Sequence, residues 1–412
     1  MNYQIINGDN RAILKTFPDN HFDSIVTDPP YGIDFLGKAW DANTGALETY
    51  QECLRVLKPG GHILAFSAAR TYHHLAITLE QAGFEIRDQI MWIYSSGFPK
   101  SQDIGKSIQR SLGVKETKTI KGGAQDSDLM AKYQPGSEYK STVVTDPEAQ
   151  KWSGWGTQLK PAHEPIALAR KPIKTSIAKN CQAHGVGALN IDATRVEMDP
   201  AEAEAYMEWM RKYPHSTGSK ATFNNILSEA QGKERKNKGS AEILEDREEL
   251  IQSRAGGRFP SNVVGEIPDY QKYFYCPKVS RKERHTGFDK LPPTSGTNNV
   301  NHSAMDNLTR TMNRTEIGNN HPTVKPIELM KYLIKLITPP DGRVLDPFNG
   351  SGSTGCAAVE LGYDYTGIEL DPKYVEIAEA RIEAWFTHTS RRHSTDLVKT
   401  HNKHSVVFNP QL

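Results

Sequence analysis

Two consecutive prolines, Pro29 and Pro30, follow an apolar run, Ser24 to Thr27, that reads as a buried strand. Proline cannot donate a hydrogen bond to a ladder, so the chain must leave its sheet there, at the strand's carboxyl end. A second short run, Arg343 to Leu345, breaks off in the same style at Asp346-Pro347. In open α/β sheets that edge is where ligands are held. Asp28, Tyr31 and Asp346 are therefore expected beside a cleft.

Around both runs the chain alternates between strand and helix. Over residues 1–110 the pattern predicts strands at Tyr3 to Ile6, Ser24 to Thr27, His62 to Ser67 and Ile86 to Tyr94. Helices fall near Arg11 to Thr16, up to Leu57, where Lys58-Pro59-Gly60-Gly61 stops the turn, and up to Gln81. Over residues 321–390 it predicts helix Ile327 to Ile337, strand Arg343 to Leu345, helix Ser353 to Leu361, strand Tyr365 to Ile368 and helix Tyr374 to Trp385. The two ends together make one domain, so they are expected to share a parallel α/β sheet covered on both faces. Residues 111–320 lose this regularity and read as a large irregular insertion; residues 391–412 read as a polar tail.

Global charge decides nothing, because 50 Lys and Arg stand against 49 Asp and Glu. Its distribution says more: basic residues outnumber acidic ones between residues 101 and 320, and the rest of the chain is net acidic. Lys160, Arg170, Lys171, Lys174 and Lys179 fall close together, and Arg281, Lys282 and Arg284 form a second group. Such clusters are solvated faces by default, and mark a polyanion site only if the chemistry elsewhere asks for one. Four separated cysteines with no CxxC pair argue against a disulfide framework and a zinc cluster, and the histidines show no metal-ligand spacing. No metal is expected. No run approaches the roughly 18 apolar residues of a membrane helix, and the first residues lack signal-peptide character, so a cytoplasmic protein without a membrane partner is expected.

The segment Thr27-Asp28-Pro29-Pro30-Tyr31-Gly32 offers two acceptors, the Asp28 carboxylate and the Pro29 carbonyl, near the aromatic face of Tyr31. An amine on a flat ring would satisfy both. The segment from Asp346 to Gly355 places Gly350, Gly352 and Gly355 in a GxGxxG spacing before a helix, where free N–H groups and open backbone suit a nucleoside. Glu369, ending the next strand, can accept from two ribose hydroxyls. That much suits several cofactors, NAD included. Asp346 separates them, since a carboxylate there repels a pyrophosphate but suits the ammonium of an amino-acid moiety, which favours S-adenosylmethionine.

Together these blocks resemble the β-class amino-methyltransferases of DNA, in which the DPPY block precedes the cofactor loop and the target-recognition region lies between them. Gly8-Asp9, Arg55 to Gly61 and His321-Pro322-Thr323-Val324-Lys325-Pro326 fit the same family, while Ser96 to Lys100, Gly154 to Thr157 and Lys160 to Pro165 are similar to a bacterial and phage subgroup. The resemblance implies a Rossmann-like methyltransferase sheet assembled from the N- and C-terminal segments, with residues 111–320 as target-recognition region. It implies S-adenosylmethionine as cofactor and duplex DNA as substrate, with a cognate restriction endonuclease and a homodimer as further partners it allows. Asp28, Pro29, Pro30 and Tyr31 would be catalytic, with Tyr31 stacking on a base flipped out of the duplex. Thr323 and Lys325 would flank the methionine end of the cofactor. Asp346, Phe348, Asn349, Gly350, Ser351 and Gly352 would line it, Glu369 would hold the ribose, and Asp9 would lie beside the adenine. Asn349 departs from the small residue that relatives often carry. The two basic groups would contact DNA phosphates. An Asp at the head of the block accompanies N6-adenine more often than N4-cytosine, which stays the alternative. An RNA or protein amide methyltransferase, an NAD-binding oxidoreductase and a non-catalytic DNA-binding relative account for fewer of the motifs.

Overall fold

The computed structural model describes residues 2–33, 41, 43–94, 101–114, 116–121, 138–198, 200–212, 257–265, 279, 281–288, 319, 321 and 323–402. The strands are β1 (Tyr3–Asn7), β2 (Phe22–Thr27), β3 (Leu57–Phe66), β4 (Glu85–Ile93), β5 (Thr117–Lys121), β6 (Glu138–Thr142), β7 (His163–Arg170), β8 (Val263–Gly265), β9 (Arg343–Asp346) and β10 (Asp364–Glu369). The helices are α1 (Asn10–Ile13), α2 (Leu47–Val56), α3 (Tyr72–Ala82), α4 (Ile104–Ser111), α5 (Pro147–Gln150), α6 (Ile177–His184), α7 (Pro200–Lys212), α8 (Arg281–Arg284), α9 (Ile327–Ile337), α10 (Ser353–Leu361) and α11 (Pro372–Asn402).

Eight strands form one sheet in the order β1-β10-β9-β2-β3-β7-β4-β8, and β5 pairs with β6 apart from it. The first and last segments do share this sheet: β1 lies parallel to β10, and β2 parallel to β9 with Ile25 opposite Leu345. β2 is buried along its whole length, as a strand covered on both faces requires. On one face α9, α10 and α11 cover the sheet, and Leu333, Ile334, Ala357, Val359 and Ile382 meet Val26 and Val344. On the other, α2 and α3 supply Tyr50, Cys53, Leu75 and Leu79 against Ile25, Ile63 and Leu345. Among the described residues no helix is long and apolar enough to cross a membrane.

Three expectations change. β7 falls inside the expected insertion at residues 111–320, yet it joins the central sheet between β3 and β4, antiparallel to both. Its run Ile166 to Ala169 is buried at both faces, so the sheet cannot close its core without it. β3 begins at Leu57 rather than His62, with Lys58 to Gly61 bulging between the Phe22–Leu57 and Ser24–His62 pairs. The polar tail expected from residue 391 is helical as far as Asn402, because no Gly or Pro interrupts α11 after its first residue.

Gly355 is a packing residue. A Cβ there would stand 2.3 Å from Ile382 Cδ1 and 2.7 Å from Tyr365 Cε1, so α10 lies closer to α11 and β10 than any side chain allows. Gly355→Val should lower stability by about 1–3 kcal/mol through overpacking, read as a fall in denaturant midpoint. An unchanged midpoint would contradict this packing.

Candidate active site at the carboxyl edge of the sheet

The parallel strands end at one edge, and their following residues converge there: Gly8-Asp9 after β1, Asp28 after β2, Tyr94 after β4, Pro347 after β9 and Leu370 after β10. β7 runs the other way, so its first residues, His163 and Glu164, arrive at the same edge. A single cavity of about 1470 Å³ is lined by residues from all of these, including Asp28 and Glu369.

The Asp28 block is held from three sides. Asp41 caps the turn, its Oδ1 accepting the Tyr31 and Gly32 backbone N–H at 2.6 and 3.1 Å and its Oδ2 that of Ile33 at 3.2 Å. The Asp28 carboxylate accepts from Lys325 Nζ at 2.6 Å, and its Oδ1 lies 2.8 Å from the Tyr31 hydroxyl. Tyr31 Oη also lies 2.8 Å from Glu164 Oε2, and Lys325 Nζ 3.4 Å from the same atom. Burial disfavours the Lys325 charge, but Asp28 and Glu164 outweigh it and raise its pKa. Burial, reinforced by both carboxylates, raises the Tyr31 pKa well above its ordinary value. Both groups therefore keep their protons. Lys325, expected at the methionine end of a cofactor, has its ammonium on Asp28; Thr323 and Lys325 do line the shared cavity.

The glycine-rich loop is fixed by the carboxylate that precedes it. Asp346 Oδ1 accepts from Thr27 Oγ1 at 2.7 Å and Phe348 N at 3.1 Å, and Oδ2 from Thr354 Oγ1 at 2.6 Å. Burial still raises its pKa to about 6. These donors draw Asp346 into the loop's own structure, so its carboxylate serves the fold first. Gly350 and Gly352 have φ of +53° and +78°; Gly350 lines the cavity, whereas Gly352, expected to line the cofactor, faces α11, where a Cβ would stand 3.0 Å from Ala378 Cβ. Ser351 and Asn349 line the cavity, but their side-chain oxygens are engaged by the fold. Ser351 Oγ takes a hydrogen bond from the buried Arg381 at 3.0 Å, and Asn349 Oδ1 accepts from the buried Tyr365 hydroxyl at 2.6 Å. A buried hydroxyl needs an acceptor, and that requirement turns Asn349 toward the core. Phe348 packs on Tyr50 with ring centroids 6.3 Å apart. Glu369 accepts Gly350 N at 2.8 Å and Asp371 N at 2.9 Å, one on each oxygen. Asp9 caps α1 and pairs with Arg11 at the cavity rim.

The first basic group does not form the expected patch. Lys160 is exposed at the cavity mouth, but β7 then carries the chain away, so Arg170 lies roughly 23 Å from His163 at the opposite edge. Arg170 is buried there against Glu85 at 2.7 Å, and Lys171 Nζ is tied to Asn20 Oδ1 and the Leu57 carbonyl at 2.8 and 2.7 Å. Lys174 is exposed at that far edge. Arg284 donates to the His321 carbonyl at 2.8 Å, a structural contact. The side chains of Arg281 and Lys282, like Pro322 and Ser96 to Lys100, lie outside the described residues. Two functional candidates were missed, Asp41 and Glu164. Asp41 carries no sequence signal, whereas Glu164 stands within the Lys160 to Pro165 block. Trp92 is a core residue, 5.1 Å from the Tyr94 ring.

Burial pushes the Glu369 pKa up to about 7, against the two backbone N–H groups that lower it. A carboxyl group raised in the fold stabilises the chain fully below its unfolded value and loses that contribution as pH climbs through the folded one. Compared with Glu369→Gln, the unliganded chain should therefore lose stability between pH 4.5 and about 7. Parallel thermal unfolding series check this; a difference that stays flat or reverses would contradict it.

A family described as DNA methylase, of the N6 and N4 methyltransferases, matches residues 22–380. The Type II methyltransferase M.HindIII of Haemophilus influenzae is 22% identical over 424 aligned residues, covering 92% of this chain and 94% of its own. The Type II methyltransferase M.HinfI of the same species is 45% identical over 62 residues, 15% of this chain and 17% of its own. The solved M1.HpyAVI–SAM complex is 17% identical with a TM-score of 0.41, covering 92% of this chain and 98% of its own. With 359 of its residues inside one family match, the chain belongs to the N6 and N4 DNA methylases, enzymes that draw their methyl group from S-adenosylmethionine.

Proposed function

We propose that the chain methylates the N6 amine of an adenine turned out of duplex DNA at a particular sequence. The observation that carries this reading is the shared cavity, in which the Asp28 block and the Gly350 loop with Glu369 face one space. Adenine rather than cytosine follows from Asp28 at the head of the block, by the resemblance of the sequence.

The residues fit S-adenosylmethionine. Each Glu369 oxygen takes one backbone N–H and, as a carboxylate, has a further acceptor site for a ribose hydroxyl. Gly350, at a φ of +53° that a side chain rarely adopts, lines the cavity with bare backbone that a ligand can approach. Asp9, Thr323, Phe348 and Gly350 would line the cofactor, with Lys325 between it and Asp28. When bound, S-adenosylmethionine supplies an electrophilic methyl group on a sulfonium.

The chain's own residues make the amine a nucleophile. Its lone pair is delocalised into the ring, and deprotonation near neutral pH is out of reach. The Asp28 carboxylate and the Pro29 carbonyl accept its two N–H bonds, which pyramidalises the nitrogen and aims the lone pair at the methyl. The proton released on methylation passes to Asp28, because Lys325 and Tyr31 already hold theirs. The Tyr31 ring lines the cavity where an extruded base would stack. The parts of residues 111–320 outside β7 and β8 would supply sequence recognition, with Lys160 at the mouth as the phosphate contact.

Nucleoside analysis of duplex DNA treated with the chain and S-adenosylmethionine tests the reading. It should yield N6-methyladenine, and Asp28→Ala should cut the rate by about 10²–10³ with donor binding retained. N4-methylcytosine alone would reject adenine, and methylation confined to RNA or protein would reject the reading altogether.

A further inference from the structure

Glu164 has a function in the reaction centre that its place in the sequence conceals. It lies between residues 111 and 320, yet its carboxylate meets Tyr31, Lys325 and, through a hydrogen bond, the Tyr94 hydroxyl. The side chains of Glu164 and Asp28 are each 19% exposed, and Lys325 is 6% exposed, so water contributes little to this cluster.

Counting protons shows a competition. The Lys325 ammonium has three, and three acceptors surround it: Asp28 Oδ2 at 2.6 Å, Tyr31 Oη at 3.0 Å and Glu164 Oε2 at 3.4 Å. Tyr31 has a single proton and two carboxylate oxygens equally near, Asp28 Oδ1 and Glu164 Oε2, both at 2.8 Å. Whichever carboxylate takes that proton has one acceptor site fewer. If Asp28 takes it, Oδ1 keeps a single acceptor site, and the incoming amine must share that oxygen with the Tyr31 hydroxyl. If Glu164 takes it, Asp28 is oriented by Lys325 through Oδ2 alone, and Oδ1 stays open.

We infer that Glu164 is a positioning residue that draws the Tyr31 hydroxyl proton to itself and so keeps Asp28 Oδ1 free for the target amine. The assignment rests on the reading of Asp28 as the amine's acceptor. Its action runs through Tyr31, which distinguishes it from general support of the cavity. Glu164→Gln keeps the shape but substitutes an amide oxygen, a weaker acceptor than a carboxylate, and the Tyr31 proton then moves to Asp28.

A double-mutant cycle on the full chain reads this coupling. Glu164→Gln should lower kcat about tenfold, the scale of one misplaced hydrogen bond. Donor affinity, measured by calorimetry without DNA, should stay within about twofold on the same scale. With Tyr31→Phe already in place no proton is left to misdirect, and the loss caused by Glu164→Gln should shrink below about twofold. Equal losses in both backgrounds, or a fall in donor affinity as large as that in kcat, would overturn the assignment. If Glu164→Gln lowers the melting temperature sharply, the same cycle with Glu164→Asp, which keeps the charge but withdraws the carboxylate from Tyr31, decides it by the same criterion. An unmodified chain that transfers no methyl group to DNA would instead remove the reading beneath it.

Discussion

The pairing of β2 with β9 is the constraint from which the rest follows. Residues more than three hundred positions apart meet there, with Ser24 opposite Val344 and Ile25 opposite Leu345. Polar contacts lock the register: Ser24 to Thr338 at 2.7 Å, Asp23 to the Arg343 N–H at 2.8 Å and Thr27 to Asp346 at 2.7 Å. Buried hydrogen bonds are costly to leave unmade, so a slip by one residue would strand all three. Because the two strands run parallel, the Asp28 block and the glycine-rich loop leave the sheet side by side.

At that edge Asp28, Glu164, Asp346 and Glu369 are among the carboxylates that line one cavity, and their donors divide the work among them. Asp346 takes two threonine hydroxyls and a backbone N–H and holds the loop. Glu369 takes only backbone donors and keeps acceptor capacity for a ligand. Asp28 and Glu164 share one lysine and one tyrosine. The same chemical group thus anchors, binds or reacts according to what is aimed at it.

Much of this was legible in the sequence because it is local. Apolar runs and their breakers mark β2, β9 and β10, and an acidic residue at the end of each strand lies at the carboxyl edge whatever the neighbouring strands do. What was not legible depends on direction and length. Glu164 reaches the edge because β7 runs antiparallel, a fact absent from the residues themselves. Lys160 and Arg170 look clustered on paper, yet an extended strand between them carries them to opposite edges. Lys325 was placed by its motif near the cofactor, but its ammonium finds the carboxylate that the fold, not the spacing, brings within 2.6 Å. Asn349 turns inward to serve the hydroxyl of Tyr365, a partner sixteen residues away that no local pattern announces.

A structure of the chain with a duplex substrate and an unreactive analogue of the methyl donor tests the central claim most directly. The account predicts one extruded base whose amine nitrogen lies within hydrogen-bond reach of both Asp28 Oδ1 and the Pro29 carbonyl, with the donor's ribose on Glu369 in the same cavity. A base held elsewhere, or a donor bound away from the Gly350 loop, would contradict it.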